Sequence, residues 1–149
     1  MNWPAKIPVT RMEDDHTHYI GKYAEGNQFW ACDSFVFTQR PIPEGENWEN
    51  YRREYALLYL FDKDGNFLNA QHHFAGTTND IQFDITSKIE EMISELGEYE
   101  FCDIEVKPFS INIDGYTFGL IPNESSKMME LQPGNTIAFG EPWDGEYWT

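Results

Sequence analysis

The chain has 149 residues, a net charge of −16 and an aromatic content of 16%. Disordered acidic segments are poor in aromatic residues, so this composition predicts a folded domain with an acidic surface. Such a surface repels nucleic acids and anionic membranes and favours a basic protein partner. The length predicts one domain over residues 1–149. No apolar run approaches the roughly 20 residues that a membrane span needs.

Two features predict a cytoplasmic protein with reduced thiols. The first residues, Met1 to Lys6, are not followed by the apolar segment of a signal peptide. Cys32 and Cys102 form no C-x-x-C pair, which argues against a zinc site or a redox dithiol. We therefore expect two small buried thiols in a reducing compartment.

The first predicted hairpin joins strands over Tyr19–Tyr23 and 28–37 through a turn at 24–27. Residues 39–50 follow as an exposed loop, because Pro41 and Pro43 cannot donate hydrogen bonds to a strand ladder.

The second predicted hairpin contains the most apolar strand. Residues 54–61 are apolar on both alternating faces, which indicates a central strand covered on both sides. The turn at 62–66 contains an Asp-Gly step, which suits a tight hairpin, and residues 67–74 return as the partner strand. An EF-hand calcium loop requires a different spacing, with glycine at position six and glutamate at position twelve.

A single helix is predicted over residues 88–96. Ser87 and Glu90 have the spacing of a capping box, and Gly97 is placed to end the helix. Five apolar residues recur at helical spacing and form one stripe: Ile85, Ile89, Met92, Ile93 and Leu96. We expect this stripe to pack on one face of a sheet.

After the helix, strands are predicted over 101–113 and 116–121 around the turn Asp114-Gly115, with a last short strand over 136–139. In the tail, 142–149, we expect Trp143, Tyr147 and Trp148 to fold back onto the body. Two runs of strands separated by one helix predict the α+β class. The expected architecture is a mostly antiparallel β-sheet built from hairpins, with one main α-helix packed on it.

Four histidines in two groups offer a candidate metal site. If residues 13–19 were extended, alternation would place the side chains of Asp14, His16 and His18 on one side. His72 and His73 form the second group. Imidazole with carboxylate suits zinc, iron or nickel. However, the glycine and glutamate context of a cupin-type metal motif is missing. We therefore expect histidines at the surface or core edge and no cofactor.

No spacing typical of catalysis is present. The chain has no Gly-x-Ser-x-Gly elbow, no phosphate-binding glycine loop and no Cys-His pattern of a known catalytic context. The many Asp and Glu residues allow numerous acid–base pairs, but none is marked out by its spacing. The sequence therefore predicts a protein that is not an enzyme.

Acidic residues are concentrated between Lys88 and Lys107, where no cation occurs. From this stretch we select six candidate partner-binding residues: Glu90, Glu91, Glu95, Glu98, Asp103 and Glu105. Glu95 and Glu98 lie near the helix C-terminus, where the helix dipole disfavours an anion by about 0.3–1 kcal/mol. Two interpretations stay open: a docking surface for a basic protein, or a solvated face that maintains solubility.

Several short motifs together resemble a known family. They are His16–Tyr23 with Gln28-Phe29, Leu60–Asn66, Phe74–Thr77, Lys107–Phe109, Asp114-Gly115 with Phe118–Leu120, and Pro142–Gly145. This set is similar to a family of small bacterial proteins, some labelled formate hydrogenlyase regulatory protein. The similarity covers most of the chain from residue 16 onward. The resemblance implies a bacterial cytosolic protein with a regulatory role, and it assigns no catalytic or binding residues.

The sequence therefore favours a non-enzymatic protein-binding module, regulatory or of the immunity type, that presents an acidic surface to a basic partner. The alternative is a metal-dependent protein or enzyme that uses His16, His18, His72 and His73. Small-ligand binding in a pocket lined by aromatic residues is a third hypothesis.

Overall fold

The computed structural model describes residues 2–14, 16–134 and 137–149. Within these ranges the chain forms thirteen β-strands, one α-helix and one turn of 3-10 helix at Trp48–Tyr51. In chain order the elements are β1 (Ile7–Val9), β2 (Tyr19–Tyr23), β3 (Asn27–Phe37), β4 (Arg52–Phe61), β5 (Phe67–Thr77), β6 (Asp80–Ile81), α1 (Ile85–Ser94), β7 (Tyr99–Phe101), β8 (Ile104–Val106), β9 (Phe109–Ile113), β10 (Tyr116–Asn123), β11 (Met128–Gln132), β12 (Ile137–Phe139) and β13 (Tyr147–Trp148).

The strands form two main sheets and one short ribbon. The larger sheet has the order β6-β5-β4-β3-β2-β7, the smaller has the order β13-β12-β11-β10-β9, and β1 pairs with β8. Every pairing is antiparallel. A mostly antiparallel architecture with one helix in the described ranges is consistent with the predicted α+β class. The division of the strands between two sheets is not predicted by the sequence.

Strand β4 is the centre of the molecule, as its apolar sequence predicts. Tyr55, Leu57, Tyr59 and Phe61 belong to the core between the sheets, which includes residues of both. The alternate residues, Ala56, Leu58 and Leu60, pack with the buried side chains of α1. Alternation along one strand therefore supplies two cores, one on each face of the larger sheet.

The predicted helix is present, but it begins earlier than expected. Asp84 is the N-cap, and its side chain accepts a hydrogen bond from the Ser87 backbone N–H at 2.9 Å. The predicted capping box of Ser87 and Glu90 is therefore wrong, because Ser87 lies inside the first turn. The apolar stripe is confirmed: Ile89, Met92 and Ile93 are buried against β3 and β4. Gly97 follows the end of the helix with a φ of 88°.

The predicted strand over 101–113 is wrong in one respect, because the structure divides this stretch into the end of β7, β8 and β9. The three strands pair with β2, β1 and β10 respectively, so the chain changes sheets twice within a few residues. Strand β11 was not predicted, since its sequence lacks clear alternation. The last predicted strand over 136–139 corresponds to β12, and Thr136 lies outside the described residues.

The turn between β4 and β5 is held by one carboxylate. The Asp62 Oδ1 accepts hydrogen bonds from the backbone N–H groups of Asp64 at 2.9 Å and Asn66 at 2.8 Å. Its Oδ2 accepts a bond from the Asn66 side chain at 2.9 Å. These bonds, first of all that of the Asn66 side chain, lower the pKa of Asp62 below its ordinary value. The Asp62 carboxylate therefore acts as an internal cap of the predicted hairpin turn.

The aromatic tail folds back in part. Strand β13 pairs with β12, and the Thr10 backbone N–H donates to the Gly145 carbonyl at 2.9 Å. Trp143 and Tyr147 are partly buried against the core between the sheets. Trp148 stays 63% exposed, so the expectation that its side chain folds back is wrong. Alternation explains the difference, because adjacent residues of a strand point to opposite faces.

Candidate functional site

The first histidine group lies in a turn. The Asp14 Oδ1 accepts hydrogen bonds from the backbone N–H groups of His16 at 2.9 Å and Thr17 at 3.1 Å. The extended conformation that would place Asp14, His16 and His18 on one side is therefore not formed, since a side-chain cap of this kind closes a turn. The His16 ring packs edge-on against Tyr147, and the His18 ring packs edge-on against Tyr19.

The second histidine group lies on β5, far from the first. His72 is paired with Leu57 and His73 with Ala56, so their side chains point to opposite faces of the larger sheet. Three strand spacings, roughly 14 Å, separate β5 from β2, next to which His18 lies. Among the residues that the structure describes, no three His, Cys, Asp or Glu side chains are placed to hold a metal ion.

One flank of α1 faces strand β5. Lys88, Glu91 and Glu95 follow one another at helical spacing and line a shallow groove with Gln71 and His73. The Lys88 Nζ lies 3.4 Å from the Glu91 Oε1. Burial first, and then the charge of Lys88, lower the pKa of His73, although Glu91 and Glu95 oppose the shift. This flank therefore contains two carboxylates, one paired cation and a histidine that favours its neutral form.

The other flank of α1 faces β2 and the edge strand β7. Thr86 shares a surface pocket with His18 and Tyr19, and Glu90 lies one helical turn further along the same side. Beside this flank, Tyr99 and Phe101 are 43% and 37% exposed, and their ring centroids are 5.4 Å apart. Both rings also contact Phe29, which packs beneath the helix.

The structure does not bring all six acidic candidates together. Glu90, Glu91 and Glu95 are exposed on α1, and Glu98 is exposed in the link to β7. Asp103 and Glu105 instead line a groove with three lysines, Lys6, Lys22 and Lys63. Asp103 also accepts a hydrogen bond from the Arg11 backbone N–H at 2.7 Å. We therefore define the acidic helix surface as Glu90, Glu91, Glu95 and Glu98.

The arginine side chains stack on aromatic rings, a feature that no pattern in the sequence predicted. All four lie over aromatic rings: Arg11 on Phe101, Arg40 on Phe37, Arg52 on Phe35, and Arg53 on Phe74. Arg53 also forms an ion pair with Asp114 at 3.2 Å. The Arg52 Nε lies 2.9 Å from the Glu54 Oε1, but its N–H is not aligned for a hydrogen bond. Stacking and ion pairing hold these cations to the body of the protein.

The two thiols differ in exposure. Both cysteines are free; Cys32 is buried and Cys102 is partly buried, so the expectation of two buried thiols is confirmed for Cys32 only. Burial, and then the charge of Asp33, raise the pKa of the Cys32 thiol far above its ordinary value. Burial also raises the pKa of Cys102. Neither cysteine is therefore activated as a thiolate nucleophile.

Comparisons of the chain with family models, with curated proteins and with solved structures found no match. The resemblance to proteins labelled formate hydrogenlyase regulatory protein therefore stays a prediction. In the described part of the chain, no helix has both the length and the apolar character needed to cross a membrane.

The depressed pKa of His73 predicts a specific pH dependence of stability. The folded-state pKa lies below the ordinary value of 6.5, so the unfolded chain binds more protons in the interval between the two. The stabilising contribution is present above 6.5 and is lost as the pH falls through the folded-state pKa. The free energy of unfolding is measured by urea denaturation between about pH 5 and pH 7.5 for wild type and His73→Gln. Its dependence on pH should be shallower in the variant. If the free energy of unfolding changed with pH in the same way in both proteins, this prediction would be wrong.

Proposed function

We propose that this protein is a non-enzymatic binding module of the bacterial cytosol that presents the acidic helix surface to a basic protein. One observation carries the proposal: the acidic helix surface includes Glu90, on the flank of α1 beside which the exposed rings of Tyr99 and Phe101 pack against Phe29. Aromatic residues are enriched at the energetic centres of interfaces. Carboxylates around such a centre increase the association rate and select partners of positive charge.

The charge of the whole chain supports the same class of partner. A net charge of −16 disfavours nucleic acids, whose phosphates repel it, and it accelerates encounter with a cationic protein. A role as regulator or as immunity-type inhibitor fits this mode of action, since an acidic surface is complementary to the basic surface of such a partner.

Charge reversal on the helix tests the proposal. Glu90 and Glu95 are both exposed on α1, one on each flank, and Glu44 and Glu46 are both exposed in the loop before the 3-10 helix. The variants Glu90→Lys/Glu95→Lys and Glu44→Lys/Glu46→Lys therefore change the net charge equally at two different places. A cross-linking probe at Ser94, on the exposed side of α1, should capture a basic protein from the bacterial cytosol.

The two double variants are then compared in binding to the captured protein. The helix variant should lose the interaction, whereas the loop variant should retain affinity within a few-fold, because distant surface charges are screened by salt. Equal losses in both variants would show a non-specific charge effect and contradict the proposal. Full affinity in the helix variant would do so as well.

A further inference from the structure

Strand β5 leaves much of its outer edge without a backbone partner. It pairs with β4 over its length, whereas β6 covers only Gly76 and Thr77. In the described chain, the backbone of residues 67–74 makes no hydrogen bond with any element on that outer side. Between two register irregularities, the pairing from Tyr55–Phe74 to Leu60–Asn69 is regular. An edge of this kind is a template for another extended strand.

Two of the usual devices that protect an edge, charged side chains and proline, are missing from β5, and its two register irregularities lie outside the regular segment. Its sequence, FLNAQHHFAGT, contains no Lys, Arg, Asp, Glu or Pro, although charged residues make up 24% of the chain. Native proteins normally block long edges with charge, with proline or with a covering element. Leu68 and Phe74 are also 52% and 43% exposed. The edge is therefore uncharged, partly apolar and open to a partner strand.

The two sides of this edge differ in charge. On the helix side, Gln71 and His73 adjoin the groove that contains Glu91 and Glu95, where the cation, Lys88, is already paired with Glu91. On the opposite side lies Phe74, with the Arg53 guanidinium 3.9 Å from its ring centroid. An added strand would direct alternate side chains to these two sides. Cations therefore suit the first side and apolar groups the second.

We infer that a basic partner protein adds an extended segment to the outer edge of β5, with Lys or Arg facing Glu91 and Glu95 and alternate apolar residues facing Phe74. This inference rests on the proposed function, and it specifies the form of the partner's contact. A second copy of this chain is disfavoured as the occupant, because each copy carries a net charge of −16.

A synthetic peptide of alternating lysine and valine, about eight residues long and within the usual strand length, serves as the probe. Its Kd is measured with wild type, with Glu91→Gln/Glu95→Gln and with the matched control Glu44→Gln/Glu46→Gln. Two further peptides carry N-methyl groups on either set of alternate amides. Only one set of amides can face β5 in an added strand, because neighbouring residues point their N–H groups to opposite edges. Hydrogen exchange reports the protection of residues 68–74.

We expect the unmodified peptide to bind and to protect amides of β5 from exchange. One N-methylated peptide should lose binding and the other should retain it. The helix variant should weaken binding about two- to thirtyfold, as expected for two partly screened ion pairs, whereas the loop variant should match wild type.

Other results separate the two proposals. Equal binding of both N-methylated peptides without protection of β5 would overturn strand addition. In that case, a loss of peptide affinity in the helix variant alone would still support the acidic helix surface as a docking site. Equal weakening in the helix and loop variants, or no binding at low salt, would overturn strand addition and also count against the proposed function. If the amides of β5 were instead protected from hydrogen exchange without peptide, to a degree that increases with protein concentration, that result would overturn the inference and show self-association through this edge.

Discussion

Replacing Ile93 by alanine should lower the free energy of unfolding by about 2–5 kcal/mol, the usual cost of removing a large buried aliphatic side chain. Ile93 is 1% exposed and belongs to the core between α1 and the larger sheet. The same core contains the small residues Ala31 and Ala56, which cannot extend to fill the cavity that the substitution leaves. Urea denaturation followed by circular dichroism gives the difference directly.

Two further variants make this test specific to packing. Ile93→Val removes one methylene and should cost about 0.5–1.5 kcal/mol, so the losses should be graded with volume. Glu90→Ala changes an exposed residue of the same helix and should stay within about 0.5 kcal/mol of wild type. If Ile93→Ala lowered the free energy of unfolding by less than about 0.5 kcal/mol, the placement of the apolar stripe in the core would be wrong.

The elements that the sequence predicted well are those determined by local patterns. The apolar period of α1 and the two-sided apolar run of β4 both follow from spacing within one segment. The start of α1 was misplaced because Ser87 and Asp84 are both good N-cap residues, and only the structure shows which one accepts the hydrogen bond.

Features that depend on distant pairing were not predictable in this way. Strand β1 contains Pro8 and is short, yet it pairs with β8, which lies almost a hundred residues later. The same limit applies to the acidic candidates. The run from Glu90 to Glu105 is continuous in sequence, but the chain turns from β7 to β8 within it. Asp103 and Glu105 consequently lie among lysines and away from the acidic helix surface.

Deleting residues 142–149 should lower the free energy of unfolding by about 2–4 kcal/mol, because two partly buried rings each provide part of the 3–5 kcal/mol typical of a buried aromatic. Trp143 packs edge-on against Trp3, with ring centroids 6.0 Å apart, and Tyr147 packs against Phe139 at 6.1 Å. The deletion also removes β13 and the hydrogen bond from Thr10 to Gly145. Release of chain entropy offsets part of the loss. The Tm should fall by roughly 5–15 °C in a domain of this size.

Single substitutions decide whether the tail belongs to the core or to a recognition surface. Tyr147→Ala should be destabilising, whereas Trp148→Ala should stay within about 0.5 kcal/mol of wild type, since the Trp148 side chain is 63% exposed. An unchanged Tm in the deletion variant, together with loss of a captured partner, would instead identify the tail as a recognition element. Trp143 and Tyr147 pack against the core between the sheets, and β13 pairs with β12. The structure therefore favours the stabilising role of the tail.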